Sequence, residues 1–195
     1  RPPGRTAVKT MLTTANQQPQ AWQDIRQRLL AGEQAFIVFP LVDESDALPL
    51  KAVMTEAERL SLGPLAGIPL GVIHGRLPSA EKERIMRDFR SGKLRALAAT
   101  TVIEVGVDVP QATIMVIEQA ERFGLSQLHQ LRGRVGRGDQ PGLCYLFAET
   151  EGETARQRLG ILCKTDDGFR IAEEDLKLRG PGELVGARQH GLPAF

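Results

Sequence analysis

Apolar positions along this chain fall into short continuous runs separated by longer amphipathic stretches. Gln34-Ala35-Phe36-Ile37-Val38-Phe39 is apolar after its first residue and is bounded by Gly32 and Pro40. Such a run suits a strand buried on both faces, as parallel sheets require. Leu70–Ile73, Arg95–Ala99, Thr113–Ile117 and Gly142–Phe147 repeat the pattern. The stretches between them have helical spacing. Pro19–Ala31 puts Trp22, Ile25 and Leu29 on one face, with Gly32 placed to stop the helix. Ala47–Leu62 predicts a second helix with Pro49 in its first turn, where a missing N–H does no harm. Pro78–Phe89 predicts a third, with Glu81 and Glu83 near its N-terminus and Ile85 and Phe89 facing inward. Leu125, Leu128 and Leu131 mark another, running from 125 to 136.

Strands alternating with helices at this spacing predict an α/β fold, a doubly wound parallel sheet with helices on both faces. Beyond about residue 150 the strands stop. Glu153–Leu162 and Phe169–Leu178 predict a small C-terminal helical appendage, ending in the turn-rich Arg179-Gly180-Pro181-Gly182. The expected organisation is a linker over 1–18, a sheet-bearing lobe over 19–150 and a helical segment over 151–195.

A hydrophobic fraction of 42% and a charged fraction of 25% over 195 residues are ordinary for a globular protein and exclude disorder as the default. No apolar run approaches the roughly 18 residues of a membrane span. The opening Arg1-Pro2-Pro3-Gly4-Arg5 lacks the apolar stretch of a signal peptide and reads as a linker cut from a longer protein. Cys144 and Cys163 form neither a disulfide framework nor a metal-ligand spacing, so each is expected to be a small buried thiol in a cytosolic protein. A net charge of +1 gives no global case for nucleic-acid binding, and any such case rests on the local cluster Arg132, Arg134 and Arg137.

Ligands of doubly wound sheets bind beyond the carboxyl ends of the strands. The polar and glycine-bearing segments His74-Gly75, Thr100-Thr101 and Glu118–Phe123 all follow such ends. The strongest constellation is Gln127-Leu128-His129-Gln130-Leu131-Arg132-Gly133-Arg134-Val135-Gly136-Arg137-Gly138. On a helix, Gln130, Arg134 and Arg137 project from one face. Gly133 and Gly136 each cost about 1 kcal/mol there against Ala, which implies close approach by another backbone or a ligand. Arginine forks on one face suit a polyphosphate, although a basic helix end taken alone is commonly just solvated. Thr100 and Thr101 offer hydroxyls to a backbone phosphate without reading sequence; taken alone they are a simple strand end. Gly106 lets the backbone approach a sugar that Asp108 can hydrogen-bond.

Gln130-x-x-Gly133-Arg134-x-Gly136-Arg137 resembles motif VI of superfamily 2 helicases, and Ala99–Pro110 resembles their motif V. Gln34–Leu41 suits motif IV, and His74-Gly75 the strand end that follows it. The resemblance implies a RecA-like lobe. It makes Arg134 and Arg137 fingers on ATP bound by a partner lobe, with Gln130 at the lobe interface. It also implies Gly106 and Asp108 near the nucleotide ribose, and Thr100 and Thr101 near a nucleic-acid backbone, with His74, Gly75 and Arg76 at the neighbouring strand end. The stretch from Gly168 to Gly191 resembles the translocation segment shared by RecG helicases and transcription-repair coupling factors. The coupling factors are expected to carry alanine and asparagine where this chain has Pro181 and Glu183, which favours the RecG family. That reading implies a lever containing Arg179, Gly182, Glu183, Arg188 and Gln189; read without the family, the segment is a C-terminal hairpin packed on the sheet.

The RecG resemblance implies an ATP-dependent DNA helicase that remodels stalled forks and branch-migrates recombination intermediates, in the bacterial cytosol at the nucleoid. Its implied partners are branched or forked DNA and the preceding RecA-like lobe, with no membrane. The alternatives are a coupling-factor translocase lobe and a non-motor RecA-like interaction module; Gln130, Arg134 and Arg137 together speak against the latter. No Gly-x-x-x-x-Gly-Lys-Ser/Thr phosphate loop occurs, and Gly92-Lys93 is followed by Leu94. ATP and Mg2+ are therefore expected mainly on the preceding lobe, with no metal site here. His74 has no accompanying nucleophile and is expected to make a structural or backbone contact rather than act as a base. Trp22 is expected to pack, and Asp43-Glu44-Ser45-Asp46 to be a solvated loop.

Overall fold

The structure, a computed structural model, describes residues 7–40, 47–100, 109–136, 139–149 and 152–178. Strands β1 (Val8–Thr13), β2 (Gln34–Val38), β3 (Leu70–Ile73), β4 (Ala96–Ala99), β5 (Ala112–Ile117) and β6 (Gly142–Phe147) form one sheet in the order β1-β6-β5-β2-β4-β3. Every pairing is parallel. The helices are α1 (Gln18–Leu30), α2 (Ala47–Leu62), α3 (Ser79–Arg90), α4 (Leu125–Arg132) and α5 (Glu153–Lys164), followed by α6 over 168–178. No helix of the described residues is long and apolar enough to cross a membrane.

Alternation along the central strands divides the core into two layers. Phe36 and Val38 of β2, Met115 and Ile117 of β5 and Leu146 of β6 pack with Phe89 of α3, Leu128 of α4 and Leu159 of α5. Their neighbours Ala35, Ile37, Ile114, Val116 and Phe147 pack on the other face with Trp22 and Ile25 of α1 and Leu60 of α2. Trp22 meets Phe147 edge-on at 5.3 Å, the packing role its helical register predicts. Gly32 ends α1 with φ +110, a conformation that costs glycine nothing.

Three expectations are corrected. The linker over 1–18 contains β1, which pairs along its whole length with β6. Its sequence, Val-Lys-Thr-Met-Leu-Thr, has no continuous apolar run because an edge strand is only half-covered. The helix expected over 125–136 stops at Arg132, with Gly133 as its C-cap, so Arg134 lies in the turn beyond it. Cys144 is buried as expected, but Cys163 is exposed, its Sγ donating to the Leu159 carbonyl at 3.7 Å.

Candidate functional site

Register fixes the carboxyl edge of the sheet. Ile73 pairs with Ala99, Ala99 with Val38, Val38 with Ile117, and Ile117 with Leu146. The residues that follow, His74, Thr100, Phe39, Glu118 and Phe147, therefore line one edge. β2 leads into α2 on one face and β5 into α4 on the other, and these strands are neighbours. A crevice opens where such connections diverge.

Glu118 stands at that crevice, its N–H donating to the Val38 carbonyl at 2.8 Å. Burial pushes its carboxyl up to about 7; Arg59 partly offsets this, while Glu56 and Glu121 add to it. Gln119 next to it adopts φ +50, the only positive value among described non-glycine residues. Arg158 of α5 holds the rest of the loop by donating to the carbonyls of Phe123 at 2.7 Å and Glu121 at 2.5 Å. Glu121 Oε2 is buried with no hydrogen-bond partner. The chain then enters α4, where the Gly124 N–H donates to Gln127 Oε1 at 2.9 Å.

The arginines of the cluster part company at the end of α4. Arg132 is only 4% exposed. It donates to Thr10 Oγ1 of β1 at 3.2 Å, to the Leu162 carbonyl of α5 at 2.6 Å and to His129 Nδ1 at 2.8 Å. Burial lowers the pKa of its guanidinium. Arg132 is thus a tie between elements, not part of a basic surface. Arg134 is half-buried in the following turn, its N–H donating to the Leu131 carbonyl at 3.1 Å, and Gln130 is exposed on α4. The glycines serve this turn and the return to β6. Gly136 has φ +77, and a Cβ on Gly142 would lie 3.0 Å from the Gly136 nitrogen. The close backbone approach implied by the glycine pattern is therefore present, in a turn rather than inside a helix.

On the other flank Thr100 is 6% exposed at the end of β4. His74 is half-buried, and its Nδ1 accepts the Arg76 N–H at 3.2 Å. Burial, then the charges of Lys82 and Arg76, lower its pKa. Gly75 and Arg76 are exposed in the turn leading to α3.

His74, Gly75, Arg76 and Thr100 thus share one end of the edge, with Gln130 and Arg134 on and just after the helix behind β5. Thr101, Gly106, Asp108 and Arg137 lie outside the described residues, as do Arg179, Gly182, Glu183, Arg188 and Gln189 of the expected lever and the Asp43–Asp46 loop. Sequence patterns single out neither Arg132 as a tie nor Arg158, because each acts through residues distant along the chain. Among the described residues no group of three or more His, Cys, Asp or Glu could hold a metal ion. An open groove of about 410 Å³ between α1 and α2 is lined by Trp22, Arg26 and Arg59. Arg26 there already donates to the carbonyls of Pro64 and Ala66.

Residues 20–139 match the model of the helicase conserved C-terminal domain, and residues 165–195 match the C-terminal part of domain 3 of the ATP-dependent DNA helicase RecG. Proteins named ATP-dependent DNA helicase RecG from Synechocystis and Thermotoga maritima are each 51% identical over 194 residues. The alignments cover 100% of this chain but 23% and 25% of those proteins, so the chain spans about a quarter of the length of the curated relatives it matches. A solved structure of RecG bound to a three-way DNA junction superposes with a TM-score of 0.78 and 48% identity, covering 100% of this chain and 25% of that one. Domain 2 of the DEAD-box helicase Mss116p, solved on an RNA duplex, superposes with a TM-score of 0.60 at 17% identity, over 78% of this chain and 59% of that one; it shares the fold.

Proposed function

The chain belongs to the helicase conserved C-terminal domain family, in its RecG branch, and from that premise we propose that it is the C-terminal motor lobe of an ATP-driven DNA helicase acting on branched DNA. The observation that carries the proposal is the turn after α4. Gly133 and Gly136 bend the chain there, and Arg132 ties it to β1 and α5, so that Arg134 is presented from a fixed support. Held this way, Arg134 meets the γ-phosphate of ATP bound by the preceding lobe, with Arg137 of the same motif as the second finger and Gln130 at the interface. Fixed guanidinium forks stabilise charge as the phosphoryl group transfers and lose little when the reaction begins.

The preceding lobe supplies the phosphate loop and most of the Mg2+ ligands. Gly106 and Asp108 approach the ribose, while Thr100, Thr101, His74, Gly75 and Arg76 follow the DNA backbone. Arg179, Gly182, Glu183, Arg188 and Gln189 convert lobe closure into movement along duplex DNA, so that stalled forks and recombination intermediates are remodelled. Chromosomal DNA as substrate places the protein in the bacterial cytosol. The boundaries 1–18, 19–150 and 151–195 are the proposed divisions, with β1 folded into the lobe.

In the full-length protein, Arg137→Ala is expected to abolish DNA-stimulated ATP hydrolysis while leaving DNA binding within a few-fold of the parent. Hydrolysis at the parental rate would overturn the finger assignment. A coupling-factor lobe is disfavoured by Pro181 and Glu183, and a non-motor module by the retention of Gln130, Arg134 and Arg137.

A further inference from the structure

Glycine at the start of α6 is not required by backbone conformation, since Gly168 has no positive φ. What the position lacks is room. A Cβ built on Gly168 would lie 3.2 Å from Nε2 and 3.6 Å from Cδ2 of His129 on α4. The backbone at the start of α6 therefore rests directly on the imidazole ring. The turn that delivers Gly168 is fixed by its own hydrogen bonds. Thr165 Oγ1 accepts the Asp167 N–H at 3.1 Å, and Asp167 Oδ1 accepts the Phe169 N–H at 3.0 Å. One turn further on, Ile171 is 1% exposed and packs with Leu128 of α4 and Leu162 of α5.

The opposite edge of the same ring faces Arg132. His129 Nδ1 lies 2.8 Å from Arg132 Nη2. A guanidinium only donates, so Nδ1 accepts and the neutral ring carries its hydrogen on Nε2, the atom next to Gly168. Arg132 also donates to the Leu162 carbonyl and to Thr10 Oγ1, and the turn bearing Arg134 follows it immediately. One ring thus touches both the support of the Arg134 turn and the first residue of α6, the helix that leads into residues 179–195. Close-packed groups with no slack between them pass displacement from one to the next.

We infer that His129 is a positioning residue of the motor, the joint through which the turn bearing Arg134 and helix α6 move together, with Gly168 as its seat. The inference rests on the proposed motor reading and names the contact that carries the motion. His129 acts through Arg132 on one edge of its ring and through the α6 backbone on the other.

The two edges of the ring can be removed separately in the full-length protein, with DNA-stimulated ATP hydrolysis and unwinding of a forked DNA measured side by side. Asparagine places Oδ1 where Nδ1 stands, so His129→Asn keeps the acceptor for Arg132 and vacates the space before Gly168. This variant is expected to hydrolyse ATP at the parental rate and to lose most of its unwinding. Gly168→Ala, which drives a methyl group against the ring, is expected to show the same split. Glutamine reaches the Nε2 position instead, so His129→Gln is expected to hydrolyse ATP more slowly while opening as many base pairs per ATP as the parent. Combining His129→Asn with Gly168→Ala is expected to restore part of the unwinding, because the methyl group enters the space the ring left. Losses that simply add would show that the two residues share no contact and would overturn the joint. His129→Asn and Gly168→Ala reach the contact from different helices, so misfolding of one leaves the other as the test. A merely structural role lowers hydrolysis and unwinding in the same proportion; that result, or parental values of both, also overturns the joint. Arg137→Ala run in parallel separates the two readings. If it abolishes hydrolysis while His129→Asn unwinds normally, the joint falls and the motor reading stands. If Arg137→Ala hydrolyses ATP at the parental rate, the motor reading falls and the joint with it.

Discussion

At Glu118 a carboxyl sits at the end of a central strand, withdrawn from water, with its pKa pushed up to about 7. The same group in the unfolded chain titrates near 4.5. Between those values the folded protein binds more protons than the unfolded chain, so this group makes stability fall as pH rises from about 4.5 to about 7. Glu118→Gln is expected to remove that dependence and to raise stability at pH 8 by about 3 kcal/mol, with little change at pH 4. Urea unfolding of both proteins at the two pH values checks this. A larger gain at pH 4 than at pH 8 would show that the carboxylate is not desolvated.

α4 is fixed from both sides by α5. Arg158 holds the loop leading into it, and Arg132 holds its end to the Leu162 carbonyl. Removing Arg132 strands a buried carbonyl and the Thr10 hydroxyl, so Arg132→Met is expected to cost about 2 kcal/mol in urea denaturation. If stability is unchanged, the three hydrogen bonds are not formed together. Arg188→Ala in the full-length protein is expected to keep DNA-stimulated ATP hydrolysis and lose fork unwinding, measured side by side. Normal unwinding by that variant would remove Arg188 from the lever. The end of α4 was only partly legible in the sequence. Leu125, Leu128 and Leu131 give its periodicity, but Gly133 could sit inside a helix or cap one. The choice is made by the return to β6, where Gly142 closes on Gly136.

For the whole molecule, the proposed division of labour has a direct consequence. The chain contains no phosphate loop, and the proposed arginine fingers act on a nucleotide held elsewhere. The purified 195-residue chain is therefore expected to hydrolyse ATP no faster than buffer, with or without DNA, in a phosphate-release assay. Robust turnover would overturn the two-lobe mechanism. The alternation of strands and helices, the parallel sheet they form and the segments that follow its strand ends are all written locally along the chain. Those features depend on neighbouring residues, whose periodicity of two or 3.6 is visible locally. Tertiary structure alone decided that Val8–Thr13 is a strand, because its partner β6 lies more than a hundred residues away. It also decided that Arg132 is a tie rather than a surface charge, through contacts 122 and 30 residues distant in sequence. The same holds for the carboxyl of Glu118. Burial is set by which elements converge on a residue, and no window along the chain contains them.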